Sequence, residues 1–172
     1  FAALVRVLVS AFPDLVDDWG PVVAGISALS MVLGSVLAIV QDDLRRLLAY
    51  SSVAHAGFIL TGVVSAGEGT AEVWFYLAVY AVQLVASFAV VSAISGSSGT
   101  RSALSDYAGL AKRQPVLAAT FAVVLLGMGG IPLTAGFVAK FGVFADAWSA
   151  GFEWLVIVGV LAMARAEDRE VG

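Results

Sequence analysis

The sequence predicts an all-α transmembrane protein, a helical bundle, from three observations. Hydrophobic residues make up 60% of the 172 residues and charged residues only 13%, whereas a soluble domain carries about 45–50% and about 25%. Several apolar runs reach the ~20 residues that a helix needs to cross a bilayer. One further run, residues 115–148, is too long for a straight crossing and contains helix-breaking residues.

These runs define the elements in chain order. Four segments are predicted to span the membrane: residues 21–41, 47–66, 73–94 and 115–148. Residues 1–12 are too short to span and are interpreted as the end of a preceding helix. Residues 152–164 are interpreted as a truncated helix and 165–172 as a polar tail. From these ends we expect the chain to be a fragment of a longer protein.

The run 115–148 is predicted to be a discontinuous helix. Its 34 residues would extend ~50 Å as a straight helix, against a ~30 Å hydrocarbon core. Gly129, Gly130 and Pro132 interrupt it, and proline removes a backbone donor. We expect two half-helices, about 115–128 and 133–148. The unwound stretch between them should face an internal cavity, because lipid cannot satisfy open backbone groups.

Charged residues predict the orientation of the spans and exclude several functions. If the spans alternate in direction, the basic loops lie on one side of the membrane and the acidic loops on the other. The basic residues are Arg45, Arg46, Arg101, Lys112 and Arg113, and the acidic residues are Asp14, Asp17, Asp18, Glu68 and Glu72. The basic side is predicted to be cytoplasmic. The sequence has no basic stripe for nucleic acid, no cysteine for iron–sulfur clusters or disulfides, and no metal-spaced or phosphate-binding motif.

Lys140 and His55 are the candidate functional residues within the spans. Lys140 follows the helix break, where a buried lysine can exchange protons because burial disfavours its charged form; alternatively, its stem reaches the nearer interface. His55 lies in the second span and titrates near neutral pH, or it supplies one hydrogen bond between helices. The stripe Tyr76, Tyr80, Gln83 and Ser87 either lines a hydrated path or packs helices together.

Two stretches carry a family resemblance: DDLRRLLAYSSVAHAGF at residues 42–58, and DYAGL at 106–110 followed by PVLAA at 115–119 and GIPLTAGFVAKF at 130–141. They resemble the antiporter-like subunits of the proton-translocating NADH–quinone oxidoreductase, complex I. The AHAG motif at residues 54–57 is most similar to the sequence of subunit N. Related groups are subunits M and L and the Mrp-type cation/proton antiporters.

The resemblance implies a fold and a site. The family has two inverted five-helix repeats, each with a broken helix, and this chain is similar to the second repeat. Lys140 then matches the lysine of the second broken helix, and His55 the histidine of the central polar axis. The chain departs from the family's pattern in three ways. It has Arg45 where the family usually has lysine, it lacks the first repeat with its glutamate–lysine pair, and residues 165–172 are polar where the family's helix continues apolar.

The function implied is that of a membrane subunit taking part in proton translocation coupled to electron transport, through a Lys140/His55 relay. NADH, FMN, iron–sulfur clusters and quinone are expected on other subunits, so no redox chemistry is expected on this chain. Its partners would be other complex I membrane subunits in a bacterial inner membrane. The alternatives are an Mrp-type cation/proton antiporter subunit and a structural membrane fragment that conducts nothing.

Overall fold

The computed structural model describes residues 1–65, 70–95 and 103–167, with the backbone alone for 165–167. Its α-helices in these ranges are α1 Ala2–Val5, α2 Val16–Ile39, α3 Leu44–Val64, α4 Ala71–Ser95, α5 Leu110–Arg113, α6 Pro115–Gly129, α7 Ala135–Ser149 and α8 Glu153–Glu167. Three helical segments are long and apolar enough to cross a membrane: Pro13–Ile39, Leu44–Val64 and Ala71–Ser95. The predicted fold class, an all-α transmembrane bundle with one broken helix, is confirmed. Glu68, Arg101 and the tail beyond residue 167 lie outside the described residues.

The first long helix begins earlier than the sequence predicted. A π-helical turn at Arg6–Ala11 and a 3₁₀ turn at Pro13–Leu15 lead into α2, which begins at Val16 rather than at residue 21 and includes Pro21. Pro21 lies in the second turn of α2, so it removes one hydrogen bond, the bond that an N–H at this position would donate to the Asp17 carbonyl. Acidic residues in the first turn of α2 favour the positive end of the helix dipole.

Helices α2 and α3 form the most extensive contact in the described part of the chain. Glycines make their close approach possible, since a Cβ at Gly34 would collide with the backbone nitrogen of Ala54 and lie 2.9 Å from its Cα. Beside this crossing the buried Ser27 hydroxyl donates to the Gly57 carbonyl (2.7 Å) and lies 3.0 Å from the Thr61 hydroxyl. Small residues and buried hydroxyl bonds are the usual means of joining helices where water is absent.

The remaining helices pack around this pair. α4 and α7 contact α3 and each other, α6 packs on α4, and α8 packs on α2. The largest fully buried apolar side chains come from α2, α3, α4, α7 and α8: Met31, Leu48, Ile59, Val63, Val73, Val91, Val143 and Leu155. Many outward side chains are apolar as well, as expected for helices that face lipid or other protein.

The loop before α3 and the segment before α5 meet at one end of the bundle. The Leu104 N–H donates to the Asp42 carbonyl (3.0 Å), and Asp43 pairs with Ala103. The Arg113 guanidinium donates to the carbonyls of Asp106 (3.1 Å) and Ala108 (2.8 Å). The basic residues at the start of α3 and in α5 therefore share one end, while the start of α4 lies at the other.

Candidate functional site

The break between α6 and α7 is built by a specific helix ending. Gly130 has a φ of 85°, a left-handed conformation that glycine adopts without strain. Its N–H donates to the Gly127 carbonyl (3.2 Å), and the Ile131 N–H donates to the Leu126 carbonyl (3.2 Å). This pair of bonds is the Schellman motif, and it satisfies two of the four carbonyls that a helix end leaves open.

Lys140 satisfies the other two carbonyls of that helix end. Its Nζ donates to the carbonyl oxygens of Met128 (2.8 Å) and Gly129 (2.9 Å). The side chain is only 5% exposed and packs against Gly130, whose missing Cβ leaves room for it. Lys140 therefore points inward to the break, and the alternative in which its stem reaches the interface does not describe this structure.

The second half-helix starts directly beside the end of the first. Thr134 caps α7, because its hydroxyl oxygen accepts a bond from the Phe137 N–H (3.2 Å). At Gly136 a Cβ would collide with the Gly127 carbonyl, so only glycine permits this approach. Leu133 between them also has a positive φ of 77°. This geometry brings Lys140 back to carbonyls that precede it by 11 and 12 residues.

His55 is enclosed by aromatic side chains from two helices. Its Nδ1 lies 2.8 Å from the Tyr76 hydroxyl oxygen, and its ring stacks on Tyr80 at 4.5 Å between centroids. The Phe58 ring meets His55 edge-on at 5.8 Å and also lies 5.2 Å below the Lys140 Nζ. The interhelical hydrogen bond expected in the packing interpretation of His55 is thus present, beside a buried cation.

The polar residues singled out from the sequence divide between the site and helix packing. Tyr76 and Tyr80 contact His55, whereas Ser87 donates to the Met128 sulfur (3.3 Å). Gln83 lies against the close approach of α6 and α7. Ser52 donates to the carbonyl four residues earlier in its own helix. The stripe on α4 therefore packs helices together, which is one of the two uses that the sequence left open.

A cavity of about 340 Å³ connects the two candidate residues. His55, Phe58, Gly129 and Lys140 line it, and α2, α3, α6 and α8 supply most of its remaining wall. On the α4 side, Tyr76 and Gln83 line a narrower gap with His55 and Lys140, and this gap has no volume for a water molecule. Gly129 and Ile131 also line the larger space, so the backbone of the break faces a cavity, as expected from the sequence.

Sequence reasoning missed two features near this site. Phe58, which contacts both candidates, lies three residues after His55, so helical spacing could have identified it. The Glu72 carboxylate occupies the space that a side chain at Gly142 would fill, a contact with α7 that no sequence pattern indicated. Among the described residues, no group of three His, Cys, Asp or Glu side chains could hold a metal ion.

Comparison with known proteins places this arrangement in a family. The family described as "NADH:quinone oxidoreductase/Mrp antiporter, TM" matches residues 1–164. The chain belongs to this family. Together with the long apolar helices, this membership makes it a multi-pass membrane protein.

Individual relatives of the NADH:quinone oxidoreductase/Mrp family are much longer than this chain. NADH-quinone oxidoreductase subunit N of Rhodococcus opacus is 48% identical over 165 residues, which is 95% of this chain and 31% of that protein. Subunit N 3 of Streptomyces griseus is 49% identical over 167 residues, 96% of this chain and 30% of that protein. The chain therefore spans about a third of the length of these relatives.

Solved structures in the family show the same fold. A chain of respiratory complex I from Thermus thermophilus with bound aureothin has a TM-score of 0.77 and 35% identity, and the match covers 85% of this chain and 33% of that chain. A chain of the Mrp complex from Dietzia sp. has a TM-score of 0.89 and 28% identity over 99% of this chain and 32% of that chain. The five-helix repeat is thus shared by both kinds of assembly.

Proposed function

We propose that this chain is the second-repeat part of a subunit N of NADH–quinone oxidoreductase and takes part in proton translocation coupled to electron transport. The observation that carries the proposal is the placement of the Lys140 amine, buried at a helix break in a cavity that His55 also lines. An ionisable group at membrane depth is costly and marks ion pathways. The identity to subunit N relatives, 48% and 49%, favours this assignment.

In the proposed relay, Lys140 holds a proton and releases it when the local field changes. His55 receives protons and passes them on through water in the cavity, since an imidazole nitrogen can both accept and donate a proton. The Phe58 ring stabilises the ammonium form through its π face, an interaction of roughly 0.5–2 kcal/mol. The rest of the path would come from the parts of the subunit that this chain does not contain.

A substitution that removes only the ionisable nitrogen tests the proposal. Lys140→Met keeps the apolar stem, so we expect the assembled complex to retain NADH oxidation while proton pumping into inverted membrane vesicles falls at least about tenfold. The matched control is Lys112→Met, since Lys112 is exposed in α5 and outside the cavity. Undiminished pumping with Lys140→Met would show that Lys140 is not part of a relay. The alternative in which the chain is a structural membrane fragment that conducts nothing would then be favoured.

The proposal also assigns partners and surroundings. Other complex I membrane subunits would flank the chain in a bacterial inner membrane, with the loops of Arg45, Arg46, Lys112 and Arg113 on the cytoplasmic side. NADH, FMN, iron–sulfur clusters and quinone would bind other subunits. Affinity purification of the tagged chain from native membranes should then recover NADH dehydrogenase activity.

The second candidate is a subunit of an Mrp-type cation/proton antiporter. The match to the Dietzia Mrp complex favours it, because that chain covers 99% of this one at a TM-score of 0.89. Growth and vesicle assays distinguish the two functions. An antiporter subunit should support sodium-dependent proton exchange without NADH, whereas a complex I subunit should support pumping only while NADH is oxidised.

A further inference from the structure

We propose that Tyr76 is a positioning residue for the relay: its hydroxyl holds Nδ1 of His55, so that Nε2 is the nitrogen that gains and loses the transferred proton. The inference rests on the proposed function, since it concerns how His55 would carry a proton. It deepens that function by assigning a role to Tyr76, which lies on a different helix from His55. From the sequence alone, Tyr76 could either line a hydrated path or pack helices together.

The contact geometry supports a dedicated hydrogen bond. The Tyr76 hydroxyl and His55 Nδ1 are 2.8 Å apart, and the two side chains are only 2% and 7% exposed. Tyr80 stacks on one face of the imidazole and Phe58 meets it edge-on, so the ring cannot turn to exchange its two nitrogens without displacing them. Tyr76 therefore engages the same nitrogen throughout, as second partners of functional histidines do.

The hydroxyl suits both protonation forms of His55. When Nδ1 carries a hydrogen, it donates to the Tyr76 oxygen, and this bond is the same in the neutral imidazole with a free Nε2 lone pair and in the imidazolium. A proton can then be added to Nε2 and removed from it while the Nδ1 bond and the ring position stay unchanged. Proton transfer would proceed without a rearrangement of buried aromatic side chains.

The charged and titratable groups around His55 limit what else could fix its tautomer. α7 contributes Lys140, which cannot accept the Nδ1 hydrogen while it is an ammonium. α4 contributes Tyr76 and Tyr80, and of these Tyr80 contacts the imidazole through its ring face. Within the described residues the lining of the cavity and of the narrow gap contains no carboxylate. Tyr76 is thus the group placed to orient His55.

The experiment uses Tyr76→Phe in the complete complex, assayed for NADH-driven pumping and for NADH oxidation across a pH series. Tyr76→Phe keeps the ring and the packing, so we expect normal assembly. Pumping should fall roughly five- to tenfold, the factor associated with one lost buried hydrogen bond. The dependence of pumping on pH should also be displaced. Tyr107→Phe is the matched variant, because Tyr107 stacks on Phe121 and lines neither the cavity nor the narrow gap. It should leave pumping and the pH profile where they are.

A second variant keeps the inference testable if Tyr76→Phe destabilises the protein. His55→Asn retains a polar group near the position of Nδ1 but has none at Nε2, so we expect it to assemble and to pump no better than Lys140→Met. Normal pumping and pH profile with Tyr76→Phe, or normal pumping with His55→Asn, would overturn the role of Tyr76. Normal pumping with Lys140→Met would instead overturn the proposed function itself, so the two failures are distinguishable.

Discussion

Lys140 meets a backbone requirement with the same atom that the proposed relay uses. Its Nζ completes the bonding of a helix end by donating to two carbonyls, at Met128 and Gly129. An ammonium has three N–H donors and a neutral amine has two, so both carbonyls can stay bonded when a proton leaves. Proton exchange at this position therefore need not dismantle the break.

Replacing Lys140 with arginine should separate these two requirements. A guanidinium can donate to both carbonyls but stays protonated, so we expect Lys140→Arg to assemble at close to the normal level and to lose proton pumping about as fully as Lys140→Met. Pumping in vesicles and the amount of assembled complex in the membrane are the two measurements. Substantial pumping by Lys140→Arg would mean that a fixed positive charge is sufficient.

The sequence identified the two candidate residues but not how they are held. Lys140 and His55 were recognisable because ionisable groups are rare within apolar spans. The bond from His55 to Tyr76 depends on how α3 and α4 are rotated against each other, and the spacing within one helix contains no information about its neighbour. The reach of Lys140 back to Met128 likewise depends on the backbone of residues 130–134, including a positive φ at Leu133.

Among the helices, the broken pair has the strictest steric requirement. A side chain at Gly136 would collide with the carbonyl of Gly127, so we expect Gly136→Ala to push the start of α7 away from α6 and to draw Lys140 off its carbonyls. Pumping should fall at least about tenfold, as a displacement of ~1 Å at a site can produce. Gly25→Ala is the control, because Gly25 lies in α2 outside the cavity and a Cβ there meets nothing within 4 Å; an equal loss in both variants would contradict the steric argument.

The crossing of α2 and α3 supports a prediction about stability. A Cβ at Gly34 would lie 2.9 Å from the Ala54 Cα, so Gly34→Ala should lower the free energy of unfolding by about 2 kcal/mol through overpacking. Gly25→Ala on the same helix meets nothing within 4 Å and should raise it by up to about 1 kcal/mol through helix propensity. Thermal unfolding followed by tryptophan fluorescence measures both, and equal shifts would show that the crossing is not tight at Gly34.

Element boundaries show where sequence patterns stop being informative. The break was predictable because a run of 34 residues cannot cross straight and contains Gly129, Gly130 and Pro132. The start of α2 at Val16 was not, since the span was predicted to begin at Pro21. A proline near the start of a helix is compatible with both, and only the packing of the segment decides between them.

Across the whole molecule, one repeat forms a bundle whose two ends differ in charge. The loop before α3 pairs with residues 103–104 at the end where Arg45, Arg46 and the α5 basic residues lie. Its outer faces remain largely apolar, and its relatives are about three times as long. Under the proposed function, some of these faces would contact the rest of a full-length subunit or other subunits, and others would contact lipid.

The orientation of the bundle can be tested by cysteine labelling. The chain contains no cysteine, so a single introduced cysteine would be its only site of reaction. A single cysteine at Gln114, exposed before α6, should react with a membrane-impermeant maleimide only from the cytoplasmic side, and one at Ala150, exposed after α7, only from the opposite side. Intact cells and inverted vesicles give the two accessibilities, with a membrane-permeant maleimide as the control for reactivity. Because residues 115–149 lie between the two sites, labelling of both from one side would mean that the broken helix does not cross the membrane. If the cysteine at position 114 reacted only from the opposite side and the one at position 150 only from the cytoplasmic side, the assigned orientation would be reversed.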